Sequence, residues 1–302
     1  MFSIDCLKFK IKTIMENDLV SVLIPSYNHS KYVISAIKSI EQQTYKNIEI
    51  IVIDDGSVDD SVKIIEEYCF GKKIVFIAKK KNSGIADTLN VGLRVARGKY
   101  VSVSASDDIW HEQKIQKQVE FLINNQGAKI VFTEGLVIDS DGKVLGPIIY
   151  TARQIKKWYF QDVLLKADLP GMTPMVRMSD ITQSGGYSND FFIEDFPMWL
   201  SLLKNGGYAE VIKENLVLYR IHGLNTHTTL NVKVLTAHFN VVKFYSANLP
   251  NRQSILSEWR LRNANHLART NKVLALRYII PVLYRIDDIR LFKSIIKICF
   301  SF

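Results

Sequence analysis

Four short apolar runs, each separated from the next by a stretch of helical periodicity, occupy the segment from Val20 to Ser104. This alternation restricts the fold more than any other feature of the chain. Val20–Ile24 is ended by Pro25, and Ile48–Ile53, Ile74–Ile77 and Tyr100–Ser104 repeat the pattern. Apolar runs this short, bounded by polar residues, read as strands buried on both faces. Between them, Tyr32, Val33, Ala36, Ile37 and Ile40 recur at helical spacing behind Asn28 or Ser30 as a cap. Val62, Ile65, Tyr68 and Cys69 follow Ser57 and Asp60, and Ile85, Leu89, Leu93 and Ala96 run up to Gly98. A βαβαβαβ order predicts a mostly parallel central sheet with helices on both faces, an α/β fold.

The pattern then loosens. Gln113–Asn125 reads as a helix, Ile130–Thr133 and Leu136–Ile138 as short strands, and Asp141-Gly142 as a turn. Leu169–Gly186, with two prolines and three glycines, reads as a loop. Phe192, Ile193, Phe196, Trp199, Leu200 and Leu203 form one helix face ended by Gly206-Gly207, and Leu216–Ile221 is a final strand. Helices fill the remainder from about Leu230. The expected organisation is an N-terminal extension over 1–17, an α/β domain over 18–229 in two parts, 18–110 and 111–229, and a helical region over 230–302.

Net charge sharpens this division. Val232 to Phe302 holds twelve basic and three acidic residues, whereas the rest of the chain, with 27 of each, is neutral. Such asymmetry marks a second functional region. On the last helix Arg290, Lys293 and Lys297 recur beside Ile289, Phe292, Ile295, Ile296, Cys299 and Phe300, the pattern of a helix lying on an anionic membrane surface. No apolar run approaches the roughly 18 residues needed to span a bilayer. Met1–Asp18 lacks a signal peptide's apolar core and cleavage site, and Met15 is an alternative start. Cys6, Cys69 and Cys299 are odd in number and contain no C-x-x-C pair, which argues against a disulfide framework or zinc knuckle. The expected location is the cytoplasm, peripheral on the inner membrane. No aromatic interleaving of the basic residues points to nucleic acid.

Ligands of open α/β sheets bind outside the carboxyl ends of the strands. The polar clusters Pro25–Asn28, Asp54–Ser57, Asn82–Gly84 and Asp107–Asp108 fall there. G-x-G-x-x-G and Walker loops are absent, so neither a dinucleotide site nor a P-loop is indicated. Asp54 and Asp55 can accept from a base N–H and ribose hydroxyls, and Asp107 with Asp108 can hold a hard divalent cation. Each pair in isolation is better explained as a cap or turn.

The blocks in order are more specific than any pair. VSVLIPSYNHSKYVISAIKSIEQQTYKNIEIIVIDDGSVDDS, NSGIADTLNVGLRVARGKYVSVSASDDIW, EDFPMWLSLLKNGGY and LVLYRIHGLNTH together resemble family 2 glycosyltransferases over residues 18 to 228. The resemblance implies a GT-A-like fold and inverting transfer of a sugar, from a nucleotide donor such as a UDP-sugar, to a hydroxyl of a glycan. It also implies a lipid-linked acceptor in cell-surface polysaccharide assembly, such as O-antigen or capsule. By the same resemblance Pro25, Tyr27, Asn28, Asp54 and Asp55 surround the nucleoside, and Asn82, Ser83 and Gly84 flank the donor. Ser106 and Asp107 also contact the nucleotide, Asp107 binds Mn2+ or Mg2+ with His222, and Arg220 meets phosphate or forms a structural ion pair; residues 18–229 are then the catalytic domain, with a nucleotide-binding half over 18–110 and an acceptor half over 111–229. Asp195 is the general base, with Glu194 as the secondary choice.

Two positions depart from the family pattern. Ala105 stands where a first carboxylate is usual, which bears on sugar choice, and Leu89 stands where an Arg is common. Trp110 and Trp199 read as core or acceptor wall, and Lys79-Lys80-Lys81 as a solvated turn. His29, His111, His238 and His266 receive no role, and His227 is only a weak ligand choice. Two other classes stay open, a nucleotidyltransferase and a catalytically silent sugar-nucleotide-binding module. The first lacks its glycine-rich N-terminal loop here, and only Ala105 and Leu89 favour the second.

Overall fold

The computed structural model describes residues 18–150, 154–166, 168–223, 231–285 and 288–300. The 1–17 extension, Met15 and His227 lie outside the described residues. The chain forms two compact units. One comprises Met1–Phe160, Asp168–Asp190 and Glu194–Gly223, and the other Gln161–Ala167, Phe191–Ile193 and Leu224–Phe302.

The first unit is a GT-A-like α/β layer built on a ten-stranded sheet. Its strands are β1 (Val20–Ser26), β2 (Ile48–Asp54), β3 (Ile74–Ala78), β4 (Tyr100–Val103), β5 (Ile109–Trp110), β6 (Ala128–Ile138), β7 (Val144–Pro147), β8 (Lys157–Trp158), β9 (Met175–Arg177) and β10 (Tyr208–Arg220). Helices α1 (Val33–Glu41), α2 (Ser61–Cys69), α3 (Ile85–Val95) and α4 (Lys114–Asn124) join the early strands. The main path runs β3-β2-β1-β4-β9-β6-β10-β5. Pairing is parallel from β3 through β4 and again between β6 and β10, while short β9 is antiparallel to both its neighbours. Every residue of β1 from Val20 to Ile24 is buried, as in a strand covered on both faces. Val22, Ile24, Val52 and Val131 pack with Ile37, Ile65 and Val119 in the core.

This topology places the site. The chain moves outward from β1 to β2 and β3, then returns to β4 on the other side of β1. A reversal of that kind opens a crevice at the carboxyl ends of β1 and β4, where ligands of doubly wound sheets bind.

The later half is more regular than its sequence suggests. The two short strands expected at 130–133 and 136–138 are one strand, β6. Gly135 is not a turn but a close approach, since a Cβ there would lie 2.6 Å from the Val217 carbonyl and 2.7 Å from Ile148. The expected loop 169–186 contains β9 and a short helix α6 (Met178–Gln183), preceded in the chain by α5 (Phe160–Lys166). Strand β10 starts eight residues earlier than expected, with irregular register around Lys213–Asn215 that masks its alternation. Helix α7 begins at Asp195 and ends at Leu203, so Phe192 and Ile193 precede it.

The second unit carries α8 (Asn231–Tyr245), α9 (Arg252–Leu267), α10 (Lys272–Ile279), a 3₁₀ turn at Ile280–Val282 and α11 (Ile289–Phe300). Ile255, Leu256, Trp259, Leu261, Ala264 and Leu267 of α9 are buried, and the Trp259 indole N–H donates to the Leu164 carbonyl at 2.8 Å. Glu258 pairs with Arg285 at 2.5 Å and Arg290 at 2.8 Å, and Asp288 pairs with Arg290 at 2.6 Å. The side-chain hydrogen bonds from Arg290, against the opposing effect of burial, pull the Asp288 carboxyl down to about 2. Helix α11 buries Leu291, Ser294 and Ile298 and exposes Ile289, Phe292, Lys293, Ile296 and Cys299. Arg290 is thus engaged in ion pairs, and Lys297 donates to Asn265 at 2.7 Å. Among the described residues no helix is long and apolar enough to cross a membrane.

Candidate functional site

The crevice between β1 and β4 gathers groups from three strand ends. Beyond β1, Asn28 adopts a left-handed backbone (φ 54), which Asn tolerates better than most residues. Its amide donates to Ser57 Oγ at 2.8 Å, and its Oδ1 accepts from Val58 N at 2.9 Å. The next amide, that of His29, donates to Ser61 Oγ at 3.0 Å. The strand exit is therefore fixed, and the His29 ring reaches across to β4, where Nδ1 lies 2.7 Å from Ser106 Oγ.

After β4, Asp107 and Asp108 are both buried. Asp107 Oδ2 lies 3.0 Å from His222 Nε2, beyond the end of β10. The ligand atoms of His29, Asp107 and His222 all fall within 4.8 Å of one another. Asp108 Oδ1 accepts from the Arg220 amide at 2.9 Å, while Asp108 Oδ2 has no hydrogen-bond partner among the described residues. Burial, reinforced by the adjacent Asp107 charge, pushes the Asp108 carboxyl well up. Burial, then Asp108 and Asp107, raises Tyr219 to about 12. The desolvation of His29 lowers its pKa despite the pull of Asp107, which favours the neutral imidazole that metal ligation requires. One buried carboxylate, that of Asp107, and two imidazoles, with ligand atoms all within 4.8 Å of one another, form a donor set that suits a divalent cation.

Arg220 sits behind this cluster. Its Nε donates to the Asp107 carbonyl at 2.9 Å, and one terminal nitrogen reaches the carbonyls of Asp139 at 3.1 Å and Ser140 at 3.2 Å. Its guanidinium carbon lies 4.9 Å from the Tyr32 ring centre, and that ring also lies 5.1 Å from His222. These contacts hold the Arg220 side chain to main-chain carbonyls behind Asp107. Trp110 and Trp199 are buried, and the buried Lys114 ammonium lies 3.7 Å from the Trp110 ring centre.

A second cluster occupies the ends of β2 and β3. Asp54 accepts from Ser57 twice, from the amide at 2.8 Å and the hydroxyl at 2.7 Å, so its carboxylate closes the turn. Asp55 accepts from the amides of Ser83 and Gly84, each at 3.0 Å. Gly84 caps α3 with φ 93, a conformation that favours glycine, and its amide also approaches Asn82 Oδ1 at 3.2 Å. Lys79 is not the solvated residue expected. Its side chain is 13% exposed and pairs with Asp55 at 2.7 Å and Asp87 at 2.8 Å. Burial alone would lower its pKa, but hydrogen bonds to Asp55 and Asp87 outweigh that and raise it. Pro25 lies in β1 opposite Ile53, and Tyr27 just beyond is 43% exposed.

The third cluster is Glu194-Asp195 at the start of α7. Both line a small cavity, open to a water-sized sphere over about 40 Å³, with Leu89, Gly171, Tyr187 and Trp199. Leu89 thus supplies apolar wall where the family pattern often has an Arg. Asn90 bonds both main-chain groups of Tyr187, at 2.7 and 2.9 Å, tying α3 to the segment that leads into the pair. Asp195 Oδ1 accepts from the Phe196 amide at 2.6 Å. Burial, then the Asp195 charge, pushes Glu194 up to about 8.

The structure therefore brings Asp107 and His222 together and joins Asp55 to Ser83 and Gly84. It also adds His29, which sequence reasoning passed over. The available signal was the place of His29 at the carboxyl end of β1, facing the crevice that the strand order creates.

The profile of Glycosyl transferase family 2 matches residues 21–176, more than half of the chain. The chain belongs to glycosyltransferase family 2. Within that family it is 32% identical over 206 residues to the putative teichuronic acid biosynthesis glycosyltransferase TuaG of Bacillus subtilis, covering 67% of this chain and 79% of the relative. The fold resembles that of S. aureus TarS residues 1–349 in complex with UDP-GlcNAc, with a TM-score of 0.68 at 17% identity, covering 93% of this chain and 88% of the other. It also resembles the mannosyltransferase PcManGT of Pyrobaculum calidifontis in complex with GDP-Man and Mn2+, with a TM-score of 0.58 at 15% identity and coverages of 94% and 87%. This family 2 enzyme is a glycosyltransferase, and neither alternative class is needed to explain it.

Proposed function

We propose that the enzyme moves a sugar from a UDP-sugar to a hydroxyl of a lipid-linked glycan during assembly of a bacterial cell-surface polysaccharide, with inversion at the anomeric carbon. The observation that carries this reading is the meeting of Asp107 and His222 at the crevice between β1 and β4, on the same sheet whose β2 and β3 ends carry the donor-side groups. The named ligands of TarS and the named pathway of TuaG support a UDP-sugar and a surface glycan.

In this reading Pro25, Tyr27, Asn28 and Asp54 shape the nucleoside pocket, and Asp55 with Asn82, Ser83 and Gly84 positions the donor. Asp107 and His222 would hold Mn2+ or Mg2+, beside Ser106 and Arg220. When bound, the cation supplies positive charge against the departing diphosphate. Asp195 takes the proton of the acceptor hydroxyl as its oxygen bonds to the anomeric carbon and the bond to the nucleoside diphosphate breaks. Glu194, holding its own proton near neutrality, leaves that task to Asp195. Residues 18–110 serve the donor and 111–229 the acceptor. Asp107→Ala should abolish transfer and cation-dependent donor binding without unfolding the protein. Full turnover by that variant, or in excess chelator, refutes this mechanism.

The helical region 230–302 would hold the enzyme on the cytoplasmic face of the membrane, near a lipid-linked acceptor. The support lies in α11, whose exposed Ile289, Phe292, Ile296 and Cys299 recur three, four and three residues apart, while Val273 and Leu276 on α10 and Ile280 in the turn that follows are exposed as well. Arg285 and Arg290 are neutralised by Glu258 and Asp288, and Lys293 is exposed beside the α11 row. Such a helix lies in the interface, aided by about 1 kcal/mol per basic residue near an anionic surface. Flotation with anionic liposomes should be lost in a Phe292→Ser/Ile296→Ser double variant with an unchanged melting temperature. Equal flotation of the two proteins rejects the membrane role of this helix.

A further inference from the structure

We infer that His29 is a third protein ligand of the divalent cation, oriented by Ser106, and that the resulting two-imidazole, one-carboxylate set selects Mn2+ over Mg2+. The inference rests on the reading of Asp107 and His222 as the cation-holding pair and extends it to a residue outside that pair.

Geometry carries the inference. Neighbouring ligands of an octahedral ion with bonds near 2.1 Å lie about 3 Å apart. Asp107 Oδ2 and His222 Nε2 already stand at 3.0 Å. A ligand atom of His29 lies within 4.8 Å of both, little more than the roughly 4.2 Å between ligands on opposite sides of such an ion. The two imidazoles stand nearly perpendicular, at 84°, with centroids 5.4 Å apart.

The other nitrogen of His29 is provided for. Nδ1 lies 2.7 Å from Ser106 Oγ. With the proton on Nδ1 and donated to that oxygen, the lone pair resides on Nε2. A hydrogen bond to the far ring nitrogen is how proteins fix the tautomer and ring orientation of a histidine ligand. The backbone is fixed as well, through the His29 amide on Ser61 Oγ and the preceding Asn28 on Val58 and Ser57. Little reorganisation is left for binding. Ser106 thus acts through His29, as a positioning residue. Both ions take carboxylate and water oxygens, but Mn2+, the first member of the transition-metal affinity series, accepts imidazole nitrogen more readily than the harder Mg2+. Replacing one oxygen position by a second imidazole therefore moves preference away from Mg2+.

The test uses the full chain and the metal ions alone. Calorimetric titration should show Mn2+ bound at least tenfold more tightly than Mg2+ by the unmodified protein. His29→Gln should weaken Mn2+ binding tenfold to a hundredfold and reduce the preference over Mg2+, and Ser106→Ala should weaken Mn2+ binding less than His29→Gln. Electron-spin-echo spectra of bound Mn2+ should show nitrogen coupling from two imidazoles in the unmodified protein and from one in His29→Gln, a change that simple loosening of the loop would not give. Melting temperatures establish that each variant is folded, and His29→Asn serves if the glutamine variant is not. If His29 replacement leaves Mn2+ affinity within twofold and the nitrogen coupling unchanged while Asp107→Ala abolishes binding, the third-ligand inference is overturned and the reading of Asp107 stands. If Asp107→Ala also leaves Mn2+ binding unchanged, the cation reading of this crevice fails with it.

Discussion

Replacing Glu194 by Gln tests whether a proton is held at the start of α7. The carboxyl is raised from 4.5 to about 8, first by burial and then by the neighbouring Asp195 charge. Between those values the folded protein keeps a proton that the unfolded chain has released. Stability from this group is therefore complete below pH 4.5 and falls as pH rises toward 8. At about 1.4 kcal/mol per pH unit, the loss is at most about 3 kcal/mol at pH 7. Glu194 retains partial contact with water, which reduces the expected loss to on the order of 1–2 kcal/mol. For 302 residues the unfolding entropy is about 0.6 kcal/mol/K, so that loss corresponds to roughly 2–3 °C. Glutamine preserves the shape and carries no proton to lose. Differential scanning calorimetry of the two proteins at pH 5 and pH 8 should show the variant gaining about 2–3 °C on the parent between the two conditions. The gain should shrink in an Asp195→Asn background, where the neighbouring charge is gone. A gap that is constant with pH, or that reverses at pH 8, would show that Glu194 is ionised in the folded protein and that its burial is misjudged.

Asp195→Asn should lower turnover by two to four orders of magnitude while donor affinity changes less than about threefold, as measured by steady-state kinetics and equilibrium binding of the sugar nucleotide. The base is misassigned if Glu194→Gln is the crippling change instead. Lys79→Ala frees Asp55 and Asp87 from their shared cation and should raise the donor KM several-fold with turnover largely retained. An unchanged donor KM would show that Lys79 does not position Asp55.

The first four long strands and three helices were legible because each element declares itself locally. β1 and β2 are unbroken apolar runs, and α1 and α3 carry apolar residues at the helical period. What escaped notice depends on distant partners. The strand β9 has only three residues and exists because β4 and β6 flank it. Gly135 resembles a break until β10 is laid beside it. At the site, Asp107 and His222 were recognisable by their family blocks, and their separation by 115 positions closes only in the fold. His29 carried no comparable mark, because its significance comes from the crevice it faces. Lys79 was hidden for a similar reason, since a run of three lysines gives no sign that the first turns inward onto Asp55.

The fastening of the Ala105–Asp108 loop has a consequence for how this enzyme can change. Arg220 grips the Asp107 carbonyl, Asp108 accepts the Arg220 amide, and the Asp108 amide closes a turn on the Ala105 carbonyl at 3.4 Å. Apart from the Asp108 carboxylate and the Arg220 guanidinium, these bonds run through main chain, and none needs a functional group on the side chain of residue 105. That position can therefore exchange one small side chain for another over evolutionary time without shifting Asp107. The loop separates a part fixed by its neighbours from a part free to vary, so a change of side chain at 105 need not dismantle the cluster at Asp107.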